Sequence, residues 1–220
     1  MPASLQHTLD FLRDLDANNN REWFNQNRAR YDKAYAAFED LVVELIQRFD
    51  VVDDLGSVTP SQCIYRIHRD VRFSPDKTPY KTWFGALLGK EGRKSTGRSY
   101  YIQVNPFGES IVAGGLFMTP REDLEKVRRA IAKDSRPLRN ILDAASFKRY
   151  FGTVTGAQLK TAPKGYAKDH PDVDLLRYKD FLAEHHLTDE QLLSDDLVDY
   201  VLEVCQALKP FVTYFYGVLE

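Results

Sequence analysis

Cysteine is nearly absent from this chain of 220 residues, which contains only Cys63 and Cys205. Two cysteines exclude a disulfide framework and a four-cysteine zinc site within one chain. Long apolar runs are also missing, because no stretch approaches the roughly 20 residues that a helix needs to cross a bilayer. The first residues lack the basic, apolar and small-residue regions of a signal peptide. We therefore expect a cytoplasmic protein that has no membrane partner.

Motifs of several well-known enzyme classes are missing as well. The sequence contains no Walker loop, no Rossmann glycine pattern and no nucleophile elbow. Its five histidines show no HxxxH or HxH spacing, so the sequence predicts no metal site. It identifies no cofactor and no oligomeric state.

The composition of the chain is typical of a globular protein. Hydrophobic residues make up 43% of the sequence and charged residues 28%. A chain of this length forms either one large domain or two small ones, and it can bury an ordinary hydrophobic core. We predict a single α+β domain over residues 1–220.

The first quarter of the chain has the apolar spacing of helices. Four leucines at residues 5–15 form one stripe, and Ser4 is suited to cap that helix. The asparagines at residues 18–20 end it, and the last of them can cap the next helix. From Phe24 to Phe49 the apolar positions follow at steps of three, four or seven residues. That spacing predicts one helix of about 30 residues.

Strand patterns follow, and helices return after them. Alternating or short apolar runs predict strands at residues 63–73, 83–88, 99–105, 110–117 and 181–187. Gly114-Gly115 in the fourth run indicates a bulge or a close approach of backbone. Residues 119–122 have the sequence of a helix-starting capping box, and apolar spacing predicts a last helix from about Leu197 to Phe215. This order predicts an α+β fold with a mainly antiparallel central sheet, flanked by the long N-terminal helix and by C-terminal helices.

The most unusual segment runs from Tyr65 to Lys81 and has the sequence YRIHRDVRFSPDKTPYK. If its first half is extended, charged and polar side chains share one face while apolar ones, Phe73 included, share the other. Such a strand holds a row of charge on a rigid element, and the guanidinium fork of arginine binds phosphate or carboxylate with two hydrogen bonds. We predict ligand-binding roles for Arg66, Arg69, Arg72, Lys77, Tyr80 and Lys81, and for Lys164 of a second cationic loop.

Two acids and a histidine lie among these cations. Asp70 and Asp76 are predicted to orient the cations, and Asp70, His68 and Asp76 are the candidate catalytic groups if a reaction takes place. The alternative is structural, because the same charges can neutralise one another in a salt-bridge network. In that network Arg69 would pair with Asp76 or with Glu22.

Charge is unevenly distributed along the chain, although its formal net charge is only −2. Residues 61–100 contain nine Lys or Arg and three Asp or Glu, whereas residues 180–220 contain nine Asp or Glu and one Lys. These two blocks either form separate surfaces or face each other in the fold.

Three functions are compatible with these patterns. The first is a ligand-binding or catalytic domain that recognises a phosphate-bearing or other anionic small molecule. The second is a non-enzymatic interaction module for nucleic acid or for an acidic protein, although the isoelectric point near 6.2 argues against nucleic acid. The third is a metal-dependent phosphoester hydrolase.

Several segments of the chain resemble an uncharacterised family, the domain of unknown function 2461. The string from Arg69 to Lys81, RDVRFSPDKTPYK, is similar to that family, as are residues 19–24, Gly114-Gly115 and residues 163–166. The similarity extends from about Leu9 to Tyr214. It implies one α+β domain found in microbial and fungal proteins, and it carries no established reaction, cofactor or catalytic residue.

Overall fold

The computed structural model describes residues 5–220, so Ser4, the predicted cap of the first helix, lies outside the described residues. Helices and a four-stranded antiparallel sheet make up the fold, which confirms the predicted α+β class. The strands are β1 (Phe84–Gly89), β2 (Ser99–Val104), β3 (Ser110–Leu116) and β4 (Phe181–Leu187), and they pair in the order β1-β2-β3-β4.

The helices of residues 5–220 lie before the sheet, within the long connection between β3 and β4, and after β4. Their bounds are α1 Gln6–Ala17, α2 Arg21–Gln26, α3 Arg28–Arg48, α4 Pro60–Cys63, α5 Arg121–Lys133, α6 Arg136–Asp143, α7 Ala145–Tyr150, α8 Val173–Leu176, α9 Asp189–Leu192 and α10 Leu197–Leu219. Within the described part of the chain, no helix is both long and apolar enough to span a bilayer.

The prediction of one helix of about 30 residues from Phe24 is wrong. Asn27 separates α2, of 6 residues, from α3, of 21 residues. Its side-chain Nδ2 donates to the carbonyl oxygen of Trp23 at 2.9 Å. The Trp23 carbonyl also accepts from the Asn27 backbone N–H at 3.0 Å, so the side chain adds a second donor at the end of α2. The predicted cap at Asn20 is confirmed, since its side chain accepts a hydrogen bond from the Trp23 amide.

The predicted strand at residues 63–73 does not form as a regular strand. Two isolated bridges, Ile64 to Ala86 and His68 to Tyr80, replace a continuous ladder. Pro79 lies within this pairing and has no N–H to donate, which helps to interrupt the ladder. The segment therefore forms an irregular hairpin with the chain that leads into β1.

The chain divides into two compact units. The first comprises the residues up to Val112 together with His186–Glu203, and the second comprises Ala113–His185 and Val204–Glu220. The single domain predicted for residues 1–220 stays a prediction.

In the first unit, helix α3 packs its apolar face against β1. The rings of Phe38 and Phe84 stack with centroids 5.6 Å apart, and both residues are almost fully buried. Cys63 is also buried, and this burial raises the pKa of its thiol to about 11. Cys63 is therefore a core residue and carries no reactive thiolate at neutral pH.

In the second unit, helix α5 buries the predicted stripe of Leu124, Val127 and Ile131. The capping box predicted for residues 119–122 does not form. Pro120 occupies the cap position without a side-chain hydrogen bond, and the hydroxyl of Thr119 has no partner among the described residues. Proline has no side-chain group that can accept from the first helical amides, which explains the missing cap.

Candidate functional site

The irregular hairpin of residues 64–86 carries most of the predicted site residues. Backbone hydrogen bonds run from the Lys81 amide to the Ile67 carbonyl at 2.8 Å and from the Arg69 amide to the Pro79 carbonyl at 2.9 Å. The predicted alternation holds up to this point, because Ile67 is buried whereas Arg66 is exposed. Beyond it, residues 70–78 form a loop, here called the motif loop.

Phe73 contradicts the predicted alternation. Its side chain belongs to the apolar face of the expected strand, yet the residue is 94% exposed at the motif loop. The guanidinium carbon of Arg72 lies 5.8 Å from the centre of its ring. The alternation therefore ends before Phe73, earlier than the sequence suggested, because the charged side chains of the motif loop bind one another.

Asn19 fixes the returning arm of the hairpin from outside it. Its Nδ2 donates to the Tyr80 carbonyl at 2.9 Å, and its Oδ1 accepts from the Tyr80 amide at 3.1 Å. The two bonds reproduce the exchange that a neighbouring strand would make. The Tyr80 ring stacks on Phe24 with centroids 4.0 Å apart, and only 5% of Tyr80 is exposed.

We expect Asn19→Ala to lower the free energy of unfolding by about 1–3 kcal/mol, because it removes two hydrogen bonds worth roughly 0.5–1.5 kcal/mol each. Urea denaturation measures the change. Asn18→Ala is the matched control, since the Asn18 side chain binds only one exposed carbonyl, that of Asp14. Equal losses in the two variants would show that the Asn19 bonds do not hold the hairpin.

Asp70 and Arg72 bind each other within the motif loop. The Arg72 Nε and Nη2 donate to the two Asp70 carboxylate oxygens at 2.9 and 2.7 Å. The Arg72 side chain, followed by its backbone N–H, lowers the pKa of Asp70 to about 2. Asp70 is therefore an anion that orients Arg72, and at neutral pH it is a weak base.

Asp76 closes the other end of the motif loop. It accepts from the Thr78 amide at 2.9 Å and from the Thr78 hydroxyl at 3.0 Å, and it pairs with the Arg69 guanidinium. The Thr78 amide, followed by Arg69, lowers the pKa of Asp76 to about 2. Of the two partners considered for Arg69, the structure thus has Asp76. Lys77 adds a further tie, because its Nζ donates to the Val71 carbonyl at 3.0 Å.

Arg66 and Lys81 differ from the cations of the motif loop. Within residues 5–220, neither of them forms an ion pair with a carboxylate. The half-buried Lys81 Nζ lies 4.5 Å from the centre of the Trp83 ring and 5.3 Å from that of the Tyr65 ring. Burial, followed by the charges of Arg66 and Arg93, lowers the pKa of Lys81.

Arg93 is a neighbour of this pair that the sequence patterns did not single out. Its Nη1 donates to the carbonyl oxygens of Ser61, at 2.9 Å, and Ile64. Carbonyls leave its positive charge uncompensated, so it adds to the positive potential around Lys81. A sequence pattern does not reveal this, because Arg93 belongs to the polar segment that follows β1.

A cleft of about 580 Å³ lies beside the hairpin, within the first unit. It is lined by Asp16, Asn19, Arg69, Asp70, Asp76, Thr78, Tyr80, Lys81, Thr82 and Trp83. Five of the predicted residues therefore meet in one place: Arg69, Asp70, Asp76, Tyr80 and Lys81. Among these lining residues Arg69 is paired with Asp76, whereas Lys81 has no carboxylate partner.

Five other predicted residues do not line this cleft. Arg72 and Lys77 are bound within the motif loop, and Arg66 acts on the cleft through its charge, which contributes to the lowered pKa of Asp70 and of Lys81. His68 is exposed and lies edge-on to the Tyr80 ring, with centroids 5.2 Å apart. Lys164 is exposed and belongs to the second unit.

Five lining residues were not predicted as site residues: Asp16, Asn19, Thr78, Thr82 and Trp83. Asn19 was interpreted as part of a helix-ending run and of a segment that resembles the family, although an amide next to a turn is also well suited to bind backbone groups elsewhere. No pattern in the sequence distinguishes Asp16, which lies at the end of α1 and reaches the cleft through the fold alone. Nowhere in residues 5–220 do three or more His, Cys, Asp or Glu side chains converge as a metal site would require.

Acidic residues near the C-terminus bind arginines of the first helices. Asp189 accepts from Arg13 at 2.6 Å, and Asp199 pairs with Arg48. These two members of the acidic block are therefore neutralised by residues that lie outside the basic block of residues 61–100.

Comparison with known proteins gives a family and nothing narrower. No curated protein and no solved structure matches the chain. The family model described as "Conserved hypothetical protein (DUF2461)" matches residues 7–214, nearly the whole chain and all of the lining residues. The chain therefore belongs to the DUF2461 family, which is the family that its motif segment resembles.

Proposed function

We propose that the cleft binds a small molecule that carries an anionic group, such as a phosphate or a carboxylate. Lys81 is the central anion contact, and the exposed Arg66, which lies outside the cleft lining, attracts the anion through its charge. Arg69, Arg72 and Lys77 hold the motif loop in shape, while Asp70 and Asp76 keep the two arginines in place.

The observation that carries this proposal is the ammonium group of Lys81. A half-buried charge has lost part of its hydration, and a protein normally compensates that loss with an opposite charge or hydrogen-bond acceptors. Lys81 has neither a carboxylate nor a hydrogen-bond acceptor among residues 5–220, although Arg69 and Arg72 in the same segment each have a carboxylate. An anionic ligand would supply the missing partner, and the hydroxyls of Thr78 and Thr82 are at hand to donate further hydrogen bonds.

Titration with inorganic phosphate, followed by thermal unfolding, tests the proposal. A ligand that binds the native state at ten times its dissociation constant adds about 1.4 kcal/mol of stability. We expect the melting temperature to rise and to saturate in the wild type and in Lys77→Gln, but not in Lys81→Gln. Each variant is compared with its own melting temperature without phosphate, so that a change in intrinsic stability does not enter the result.

Two outcomes would contradict the proposal. If inorganic phosphate does not stabilise the wild type at any concentration, the proposed anion site does not exist. If Lys77→Gln and Lys81→Gln lose the stabilisation by phosphate equally, the anion contact lies at the motif loop, which contains Lys77, and not in the cleft.

A nucleic-acid interaction module is the second candidate, and the exposure of Phe73 beside Arg72 favours it. An exposed aromatic ring next to a guanidinium is a typical element of single-strand binding surfaces. That function predicts polynucleotide affinity that falls steeply with salt and that Phe73→Ala weakens. Phosphate stabilisation that depends on Lys81 and is unchanged in Phe73→Ala would favour the small-molecule site instead.

A further inference from the structure

The side chain of Lys81 is placed as a nucleophile as well as a cation. Its Nζ lies between the rings of Tyr65 and Trp83 at the wall of the cleft. No acceptor among residues 5–220 binds its N–H groups. Lys77 and Lys90 are different, since Lys77 donates to the Val71 carbonyl and Lys90 pairs with Asp54. Among the described residues, no hydrogen bond or ion pair therefore holds the Lys81 nitrogen away from a ligand in the cleft.

The surroundings of Lys81 favour loss of a proton from the ammonium. Burial and the neighbouring charges of Arg66 and Arg93 lower its pKa, and the phenol of Tyr65 stays neutral at physiological pH because burial raises the pKa of that group. The cleft also contains Arg69 and three carboxylates, of which two are engaged by arginines and the third, from Asp16, is exposed. The ring faces act the other way, since they attract a cation. A lysine between cationic neighbours in a partly desolvated site is a recognised way to obtain a reactive amine.

We propose that Lys81 captures a small anionic aldehyde or ketone as a Schiff base, while the hydroxyls of Thr78 and Thr82 donate to the anionic group of that molecule and the nearby charge of Arg66 attracts it. This inference rests on the proposed function, because the same cleft must first bind the anion. It narrows the ligand class to carbonyl compounds that carry a carboxylate or a phosphate.

The reaction needs no other reactant. The lone pair of the neutral amine forms a bond to the carbonyl carbon, and a proton moves from nitrogen to the carbonyl oxygen through solvent. The resulting carbinolamine loses its hydroxyl as water when the nitrogen lone pair forms the C=N bond. Counted from the ammonium, one ammonium and one carbonyl group give one iminium and one water, so the positive charge is conserved.

The two aromatic rings gain a role in this scheme. The iminium carries its charge at the nitrogen, which lies between the faces of Tyr65 and Trp83. Ring faces that attract the ammonium also attract the iminium, so they stabilise the product without the need for a carboxylate. A carboxylate beside the nitrogen would instead favour the protonated amine before the reaction.

Reductive trapping tests the inference. The full-length protein is incubated with glyoxylate and sodium cyanoborohydride, which converts an imine into a stable carboxymethyl group on the lysine, and peptide mass mapping locates the modified residues. We expect labelling of Lys81 to saturate with glyoxylate concentration and to be slowed by inorganic phosphate. Lys77 and Lys164, both exposed, should show slower labelling that increases linearly with concentration.

Matched variants complete the test. Lys81→Arg keeps the positive charge but cannot form an imine, so the adduct at this position is lost while the others remain. In Lys77→Arg the labelling of Lys81 should be unchanged. Phosphate stabilisation without preferential labelling of Lys81 would overturn the covalent step and leave the anion site intact. Labelling of Lys81 that neither saturates nor responds to phosphate would overturn the anion site.

Discussion

Gly115→Ala is expected to lower the free energy of unfolding by about 3 kcal/mol or more, because two unfavourable effects coincide at this position. Gly115 has a φ of +121°, a region in which a residue with a Cβ is strained by roughly 1–3 kcal/mol. A Cβ at Gly115 would also overlap the carbonyl oxygen of Phe181 and lie 2.9 Å from the Phe211 ring. Backbone cannot move aside as a flexible side chain can, so the clash must distort the pairing around β3.

Gly165→Ala separates the two effects. Gly165 also has a positive φ, of +94°, but a Cβ there would meet no atom within 4 Å. Its substitution should therefore show only the backbone strain, and the difference between the two variants measures the close approach at Gly115. Chemical denaturation gives both values. A loss at Gly115 no larger than that at Gly165 would mean that the Phe181 carbonyl is free to move.

The close approach at Gly115 was predictable from the sequence, whereas its partner was not. A glycine pair inside an otherwise apolar strand indicates that something lies where a side chain would be. The partner comes from Phe181, which is 66 positions further along the chain by residue number. Local patterns contain no information about such a contact, because it depends on which strand pairs with β3.

The site was predictable as a segment but not in the role of each residue. A run of cations interleaved with acids indicates either a binding site or a salt-bridge network; the network is what the structure shows for Arg69 and Arg72, and the binding site stays a proposal for Lys81. Asp70 and Asp76 neutralise Arg72 and Arg69 because the loop closes on itself within eight positions. Lys81 is not part of this network, because the backbone hydrogen bonds of the hairpin place it after the motif loop, close to the rings of Tyr65 and Trp83.

The break at Asn27 shows a similar limit for the helices. The apolar spacing on either side continues without interruption, so periodicity alone predicts one helix. Helix α2 ends at Gln26, and the side-chain amide of the following Asn27 binds the Trp23 carbonyl, although nothing in the hydrophobic pattern changes there. Asparagine in a helical pattern is a weak signal, because it is tolerated in many helices and ends only some of them.

Arg128→Met is expected to lower the free energy of unfolding by about 2–6 kcal/mol, since it leaves two carbonyls without their donor, each at a loss of about 1–3 kcal/mol. Arg128 is 6% exposed, and its guanidinium donates to the carbonyl oxygens of Leu176 at 3.0 Å and Tyr178 at 3.1 Å. No pattern in the sequence distinguishes it, although its position one turn after the buried Leu124 places it beside the apolar stripe of α5.

Arg129→Met is the matched control for this substitution, because Arg129 follows Arg128 in the same helix and is exposed. The free energy of unfolding of Arg129→Met should fall by no more than about 0.5 kcal/mol, the usual range for an exposed position. Urea denaturation compares the two variants, and amide hydrogen exchange then reports whether protection is lost in the segment around Leu176. Because methionine keeps much of the apolar stem that arginine buries, a large loss in Arg128→Met alone reflects the missing donors to the two carbonyls and to Glu125, which accepts from the Arg128 guanidinium at 3.1 Å. Equal stability of the two variants would show that the carbonyls find other donors, and that the buried guanidinium does not hold this segment against α5.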